Sequence, residues 1–285
     1  MDSSKGLNGS KRTASWHEEN SDVYRPGESK PVRLTAIVRL QWLMTWRSPE
    51  QLLPIFLVPL STFVAAAIID HAGRPDLLVN VFVAVALMSI IQTGLMTASE
   101  ILTSDRSSLL LLGLITTPTR YPFLLFLRIT VTTSASLAGA VTSYLILYIA
   151  FETPIRFEQP AAAALAILLT VLGSACFALL LAALIARARS ARAIQNSLSG
   201  PVFLLSGALV PVTLLSPWLV WPAMALFPYW AAELLRASVQ DVAVVIPTRL
   251  VMYTALLVST GAVWGVAGAL LLGTMLERNR QHGSL

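Results

Sequence analysis

The chain has 285 residues, of which 55% are hydrophobic and 12% are charged, and its formal net charge is +5. Soluble domains carry roughly 25% charged residues, so this composition excludes a soluble globular protein and predicts an integral membrane protein. One cysteine, Cys176, rules out a disulfide framework, and the positive charges do not form the stripe with interleaved aromatic residues that nucleic acid requires.

The segment 1–30 is polar and lacks the apolar core of a signal peptide, so we predict a disordered cytosolic tail. A helical pattern follows over 31–51, where apolar residues recur every four positions and arginines lie around them: Leu34, Val38, Trp42 and Trp46, with Arg33, Arg39 and Arg47. We predict a helix that lies along the membrane interface and ends at Pro49. The alternative is that the tryptophans only form the aromatic belt before the first span.

Five apolar runs follow, near 52–69, 77–98, 122–151, 161–186 and 250–275. About 20 apolar residues cross the hydrocarbon core as a helix, so each run predicts one span. A further apolar stretch over 205–237 is interrupted by four prolines, Pro211, Pro217, Pro222 and Pro228. Whether this stretch crosses the membrane once decides the topology.

Positive charges favour one crossing, because cytosolic loops carry the excess of arginine and lysine. With one crossing, ten arginines near the span ends lie inside and four lie outside: Arg33, Arg39, Arg47, Arg106, Arg120, Arg187, Arg189, Arg192, Arg278 and Arg280 against Arg74, Arg156, Arg236 and Arg249. We therefore predict an all-α protein with six transmembrane helices and both termini in the cytosol.

The proline pattern then places a short fifth span over 197–212, closed by Pro211. Pro217 and Pro222 turn the chain before and within a first short helix, and Pro228 begins a second that ends near Arg236. We predict a re-entrant helical pair that dips into the outer leaflet without crossing. Its interface anchors are expected to be aromatic: Trp218, Trp221, Tyr229 and Trp230.

A cytosolic segment joins spans two and three, and it combines charges at one end with Thr-Pro at the other. Its marked residues are Glu100, Asp105, Arg106, Thr117, Pro118 and Arg120. A short helix of this kind can dock into a groove on a soluble partner, and a solvated connector that lets two spans turn explains the composition equally well.

Polar side chains form two stripes within the spans. Ser89, Gln92 and Thr93 share a face of span two, as Thr130 and Thr133 do in span three. They are candidates for a substrate path, or they hydrogen-bond neighbouring helices. Arg128 is expected to snorkel to the interface, with pairing to Glu100 as the alternative. Gly261 and Gly265 form a GxxxG motif for packing within the subunit.

The sequence lacks a complete motif for a catalytic metal site or a phosphate-binding loop. His17 begins a zinc-protease-like motif without its second histidine, and the three lysines, Lys5, Lys11 and Lys30, do not belong to a phosphate-binding loop. We therefore expect no enzyme activity, no metal site and no ATP hydrolysis by this chain.

The chain resembles the membrane permease of type-2 ABC exporters, the family of daunorubicin-resistance and related drug, antibiotic and lipid exporters. The most specific similarity is the end of span five and the segment after it: Ser206, Gly207, Pro211, Pro217, Trp218, Trp221, Phe227, Pro228 and Arg236. The second is the loop after span two, with the six residues named above for that segment. The chain departs from the family at Phe227, where asparagine is frequent, and at Leu109, Leu110 and Leu112 in the loop.

The resemblance implies a permease domain over 31–276, with a cytosolic tail over 277–285. It also implies two copies of a separate ABC ATPase, which would dock beneath the loop helix and the N-terminal helix and would themselves bind ATP and magnesium. A second permease copy or a paralogous permease would complete the complex. The expected function is export of a hydrophobic or amphipathic compound across a bacterial plasma membrane by alternating access, with the re-entrant pair at the outer mouth. The alternative is a six-helix channel or scaffold without an ATPase.

Overall fold

The computed structural model describes residues 34–47, 49–74, 77–107, 121–152, 155, 157, 159–185, 191–208, 217–239 and 247–282. Within these ranges all regular secondary structure is helical. By internal contacts the chain divides into Met1–Ile37 and Val38–Leu285. The first unit contributes only residues 34–37 to the description, and the following account of packing concerns the second.

The described residues contain ten α-helices. In chain order they are α1 Leu34–Arg47, α2 Pro49–His71, α3 Leu78–Ser107, α4 Tyr121–Ala135, α5 Leu137–Ala150, α6 Pro160–Ile185, α7 Ala191–Leu205, α8 Pro217–Met224, α9 Phe227–Val239 and α10 Pro247–His282.

Four helical segments of the described chain are long and apolar enough to cross a membrane. They are Leu78–Ala98, Tyr121–Ala150, Pro160–Ile185 and Thr248–Met275, and they coincide with predicted spans two, three, four and six. A shorter apolar helix, Leu57–His71, overlaps predicted span one. The membrane-protein class and the all-helical class are thus confirmed, while the count of six spans stays a prediction.

The predicted bounds of span five are wrong. The helix there is α7, which has 15 residues, begins at Ala191 and ends at Leu205, ahead of Pro211. At about 1.5 Å per residue it is about 22 Å long, which is short for the hydrocarbon core. Pro201 lies inside it and does not end it.

The third span consists of two helices, α4 and α5, that meet at Ser136. The Ser136 hydroxyl donates to the Thr133 carbonyl oxygen at 2.6 Å, and its amide donates to the same oxygen at 3.1 Å. A hydroxyl that bonds back to its own helix in this way commonly bends the helix. The single apolar run over 122–151 therefore contains a local break.

The centre of the bundle is α6, which packs against α3, α4, α9 and most extensively against α10. Small residues allow the close approach of α10. A Cβ at Gly268 would lie 2.5 Å from the Leu180 main-chain nitrogen, and one at Gly265 would lie 2.8 Å from Cys176 Sγ. The GxxxG motif thus packs within the subunit, as predicted.

Polar contacts hold the other side of the bundle together. The Thr62 and Ser143 hydroxyls, both fully buried, are 2.7 Å apart and join α2 to α5. The helix α3 lies against α2, α4, α5 and α6, and 72% of its spanning part is buried, whereas the corresponding value for α10 is 22%. One broad face of α10 is therefore free to contact lipid or another subunit.

Candidate functional site

The end of α7 is formed by Ser206 and Gly207, the first two residues of the family-like motif. Gly207 has a φ of +65°, the left-handed conformation with which glycine commonly ends a helix. The Ser206 hydroxyl donates to the Phe203 carbonyl oxygen at 2.7 Å and accepts from the Ala208 amide at 3.1 Å. These bonds satisfy groups that a helix end otherwise leaves unpaired. Gly207, rather than Pro211, thus ends this helix.

Arg236, the last residue of the same motif, clamps this helix end. Its side chain comes from α9 and is 6% exposed. The guanidinium donates to the carbonyl oxygens of Gly207 and Ala208, the latter at 3.1 Å. It also forms an ion pair with Glu233 at 3.2 Å, one helical turn earlier. The structure therefore brings Ser206, Gly207 and Arg236 into one cluster, which we call the outer clamp after the position predicted for this segment, at the outer leaflet.

The buried guanidinium explains why an arginine is placed here. The carbonyl oxygens at a helix end carry partial negative charge, which a cation stabilises. Arginine reaches two of these carbonyls and the Glu233 carboxylate at once, because it has five donors in a planar fork. Its Nε has no hydrogen-bond partner among the described residues.

The two short helices after α7 follow the proline pattern closely. Pro217 is the first residue of α8, Pro222 lies inside it, and Pro228 is the second residue of α9. The turn between them is covered by two indoles: Trp230 Nε1 donates to the Met224 carbonyl oxygen at 2.8 Å, and Trp264 Nε1 donates to that of Ala225 at 3.0 Å.

The predicted aromatic anchors divide into two kinds. Trp218 and Trp221 on α8 are exposed, and Tyr229 is half-buried. Trp230 is buried and packs on Tyr229 and Tyr253, so its prediction as an interface anchor is wrong. Its indole instead fixes the turn between α8 and α9. Pro211 lies outside the described residues.

The polar stripe of span two lies mostly at helix contacts. Ser89 is buried, and a Cβ at Gly139 of α5 would lie 2.8 Å from its hydroxyl oxygen. Thr93 is half-buried and donates to the carbonyl oxygen of Ser89, one turn back, at 2.8 Å. The Gln92 amide oxygen is buried and lacks a hydrogen-bond partner among the described residues. Ser89 thus serves helix packing, whereas Gln92 keeps an unused acceptor.

The stripe of span three is similar. Thr130 is half-buried and donates to the Phe126 carbonyl oxygen at 2.8 Å within its own helix. Thr133 is fully buried, and its hydroxyl lies beside Gly94 of α3 without a hydrogen-bond partner in the described part of the chain. The structure therefore places Thr133 at the contact of α3 with α4, and a role of either stripe in a substrate path stays a prediction.

Three of the six predicted coupling residues lie in the C-terminal part of α3. Glu100 is half-buried within this helix, and Asp105 and Arg106 belong to its last turn. Thr117, Pro118 and Arg120 lie outside the described residues, as does the predicted helix between spans two and three. Among described residues there is no group of His, Cys, Asp and Glu side chains that could hold a metal ion.

Two polar contacts were not predicted from the sequence. Gln195, at the start of α7, is buried and donates to the carbonyl oxygens of Leu95 and Met96 on α3. Arg128 Nε donates to Gln41 Oε1 on α1 at 3.0 Å. Gln195 lies in a polar stretch beside Asn196 and Ser197, so no local signal indicated its burial, and the carbonyl groups to which it donates depend on the tertiary fold.

A family of known proteins matches the part of the chain that contains these motifs. The family described as ABC-2 type transporter matches residues 32–239, nearly three quarters of the chain, and this range includes the end of α3 and the outer clamp. No curated protein matches the chain. The helix α10 lies after the matched range but packs on α6 and α9 in the same bundle. By this match, the chain belongs to the ABC-2 type transporter family.

Proposed function

We propose that the chain is the permease subunit of an ATP-driven exporter that moves a hydrophobic or amphipathic compound, such as a drug, an antibiotic or a lipid, out across the plasma membrane. The observation that carries the proposal is the family match over residues 32–239. Permeases of this family generally work with an ABC ATPase. Two ATPase copies would bind ATP and magnesium, and two permease subunits would form the path between them.

In this proposal the chain contributes movement and not chemistry. Closure of the ATPases on ATP would push on the end of α3, where Asp105 and Arg106 lie, and on α1. The movement would reach α7 through Gln195, because this side chain bonds α7 to the middle of α3. At the other end of α7, the outer clamp and the α8–α9 pair would open or close the outer mouth.

Co-expression with the ABC ATPase encoded beside the permease tests the proposal. The two proteins should co-purify, and ATP hydrolysis by the ATPase should change when the permease is present. The double substitution Asp105→Ala with Arg106→Ala should remove that change without preventing membrane insertion, whereas Arg249→Ala, at an exposed arginine of α10, should have no effect. A permease that never co-purifies with the ATPase, and never alters its activity, would be a channel or scaffold instead.

The proposed topology has an independent test. A fluorescent protein fused after the last residue should fluoresce, because the fluorescent protein folds in the cytosol. Alkaline phosphatase fused at the same place should be inactive. Phosphatase inserted within 240–246, between α9 and α10, should be active on the outer side. The reverse pattern would place the outer clamp at the cytosolic face and exclude it from the outer mouth.

A further inference from the structure

The helix α1 turns its polar side towards the bundle. Gln41 and Thr45, one turn apart, are 5% and 3% exposed, whereas Leu40, Leu43 and Met44 are exposed. In a soluble amphipathic helix the apolar face is buried and the polar face is exposed. The exposed side of α1 also carries the charged Arg39 and Arg47, so the burial concerns the uncharged polar residues. These hold α1 to the bundle by hydrogen bonds, while its exposed apolar residues are left to contact lipid.

The partners of these side chains lie on α4, again one turn apart. Gln41 Nε2 donates to Thr132 Oγ1 at 3.0 Å, and Gln41 Oε1 accepts from Arg128 Nε at 3.0 Å. The Thr45 and Thr132 hydroxyl oxygens are 3.4 Å apart. Both ends of the Gln41 amide are therefore occupied by α4. We call the four residues Gln41, Thr45, Arg128 and Thr132 the polar seam.

Sliding of α1 along α4 would be costly. It would break the hydrogen bond that Arg128 Nε donates to the Gln41 side-chain oxygen. It would also leave the Gln41 amide without partners in a region of low polarity. A buried polar group that is left unpaired destabilises the folded state. A charged group within a span requires its partners more strongly still.

A second bond reinforces the same pairing. The chain passes from α1 into α2 with one residue between them, and α2 is joined to α5 by the buried hydroxyls of Thr62 and Ser143. The helices α4 and α5 belong to one span. The pair α1–α2 is thus hydrogen-bonded to the pair α4–α5 at two levels.

From these contacts we infer that α1 and α4 move as one rigid body during the transport cycle, with Gln41 and Arg128 as positioning residues that carry the displacement of α1 to the third span. This inference rests on the proposed function, which supplies the displacement. It distinguishes α4 from α7, because the side-chain hydrogen bonds that join α7 to other described helices lie near its two ends, at Gln195 and at the outer clamp.

A disulfide across the polar seam tests the inference. Thr45→Cys with Thr132→Cys, in a Cys176→Ala background, leaves Gln41 and Arg128 in place. In the purified permease–ATPase complex the bond should form on mild oxidation, and ATP hydrolysis should stay within about twofold of the reduced complex. Failure of the bond to form, or a fall of more than about tenfold that a reductant reverses, would overturn the inference. The single-cysteine variants control for effects of the oxidant.

Replacement of Gln41 provides the second measurement. Gln41→Leu should reduce the permease-dependent part of ATP hydrolysis by about tenfold at unchanged co-purification, and Gln41→Glu should retain it, because a carboxylate still accepts from Arg128. The neighbouring exposed Leu40→Ala is the matched control. Equal hydrolysis by the Leu and Glu variants would show that the seam only stabilises the fold. If the parent complex neither assembles nor responds to the permease, the proposed function itself fails, and the inference falls with it.

Discussion

Arg236 and Ala208 are joined by a hydrogen bond of 3.1 Å from the guanidinium to the main-chain carbonyl oxygen, across 28 positions of the chain. Through this bond and its neighbour at Gly207, the end of α7 depends on a side chain of α9. Replacement of Arg236 by leucine should therefore lower the free energy of unfolding by about 1–3 kcal/mol, because the buried carbonyls and Glu233 lose their partner. Thermal unfolding in lipid nanodiscs, followed by tryptophan fluorescence, measures the loss.

Arg249→Leu is the matched control for this prediction, since Arg249 is an exposed arginine near the start of α10. It should leave the unfolding midpoint unchanged. Equal midpoints for both variants would show that the outer clamp does not stabilise α7.

The contact of α10 with α6 predicts opposite results for two glycines on one helix. Gly268→Ala should destabilise the protein by about 1–3 kcal/mol, because the added Cβ would overlap the Leu180 backbone. Gly273 has nothing within 4 Å of an added Cβ, so Gly273→Ala should be neutral or slightly stabilising. The measurement is the midpoint of thermal unfolding of each variant, and a neutral Gly268→Ala would contradict the close packing.

Gln195 should matter more than its neighbour Asn196. Gln195→Leu removes the side-chain bonds to the carbonyl oxygens of Leu95 and Met96, and it should cost about 1 kcal/mol. Asn196 is exposed, so Asn196→Leu should have little effect on stability. Limited proteolysis of the 186–190 connection offers a local measurement: cleavage should accelerate in the first variant only.

The bond between Thr62 and Ser143 should give a small but measurable coupling. In membrane proteins interhelical hydrogen bonds contribute about 0.6 kcal/mol on average, with a maximum near 1.7. A double-mutant cycle with Thr62→Val and Ser143→Ala should yield a coupling energy of this order from equilibrium unfolding. Additive effects of the two substitutions would mean that the 2.7 Å contact contributes nothing.

The sequence predicted the positions of the motifs better than it predicted which residues they contact. Pro217, Pro222 and Pro228 predicted the positions of α8 and α9, because proline restricts where a helix can begin and continue. The predicted end of α7 at Pro211 is wrong, because Gly207 comes earlier in the chain and its left-handed backbone ends the helix. That difference follows from local backbone chemistry, and the Ser-Gly pair was its signal.

Other differences depend on the tertiary fold. Trp230 is as aromatic as Trp218, and no local pattern says that the first is buried while the second is exposed. Phe227 departs from the frequent asparagine of the family, and the structure places its ring, fully buried, against Gly173 and Phe177. The face of α1 that carries Gln41 contacts the bundle, whereas hydrophobicity alone predicts that the opposite face would do so.

The close packing of α6 with α10 has a consequence for biosynthesis. The side of α6 that carries Gly173, Cys176 and Leu180 receives its partner glycines from α10, which is translated after the other described helices. Until then this side of α6 must be covered by lipid or by the insertion machinery. A fragment that stops at Val239, where the family match ends, would lack these glycine contacts, so the matched range is shorter than the set of helices that pack together.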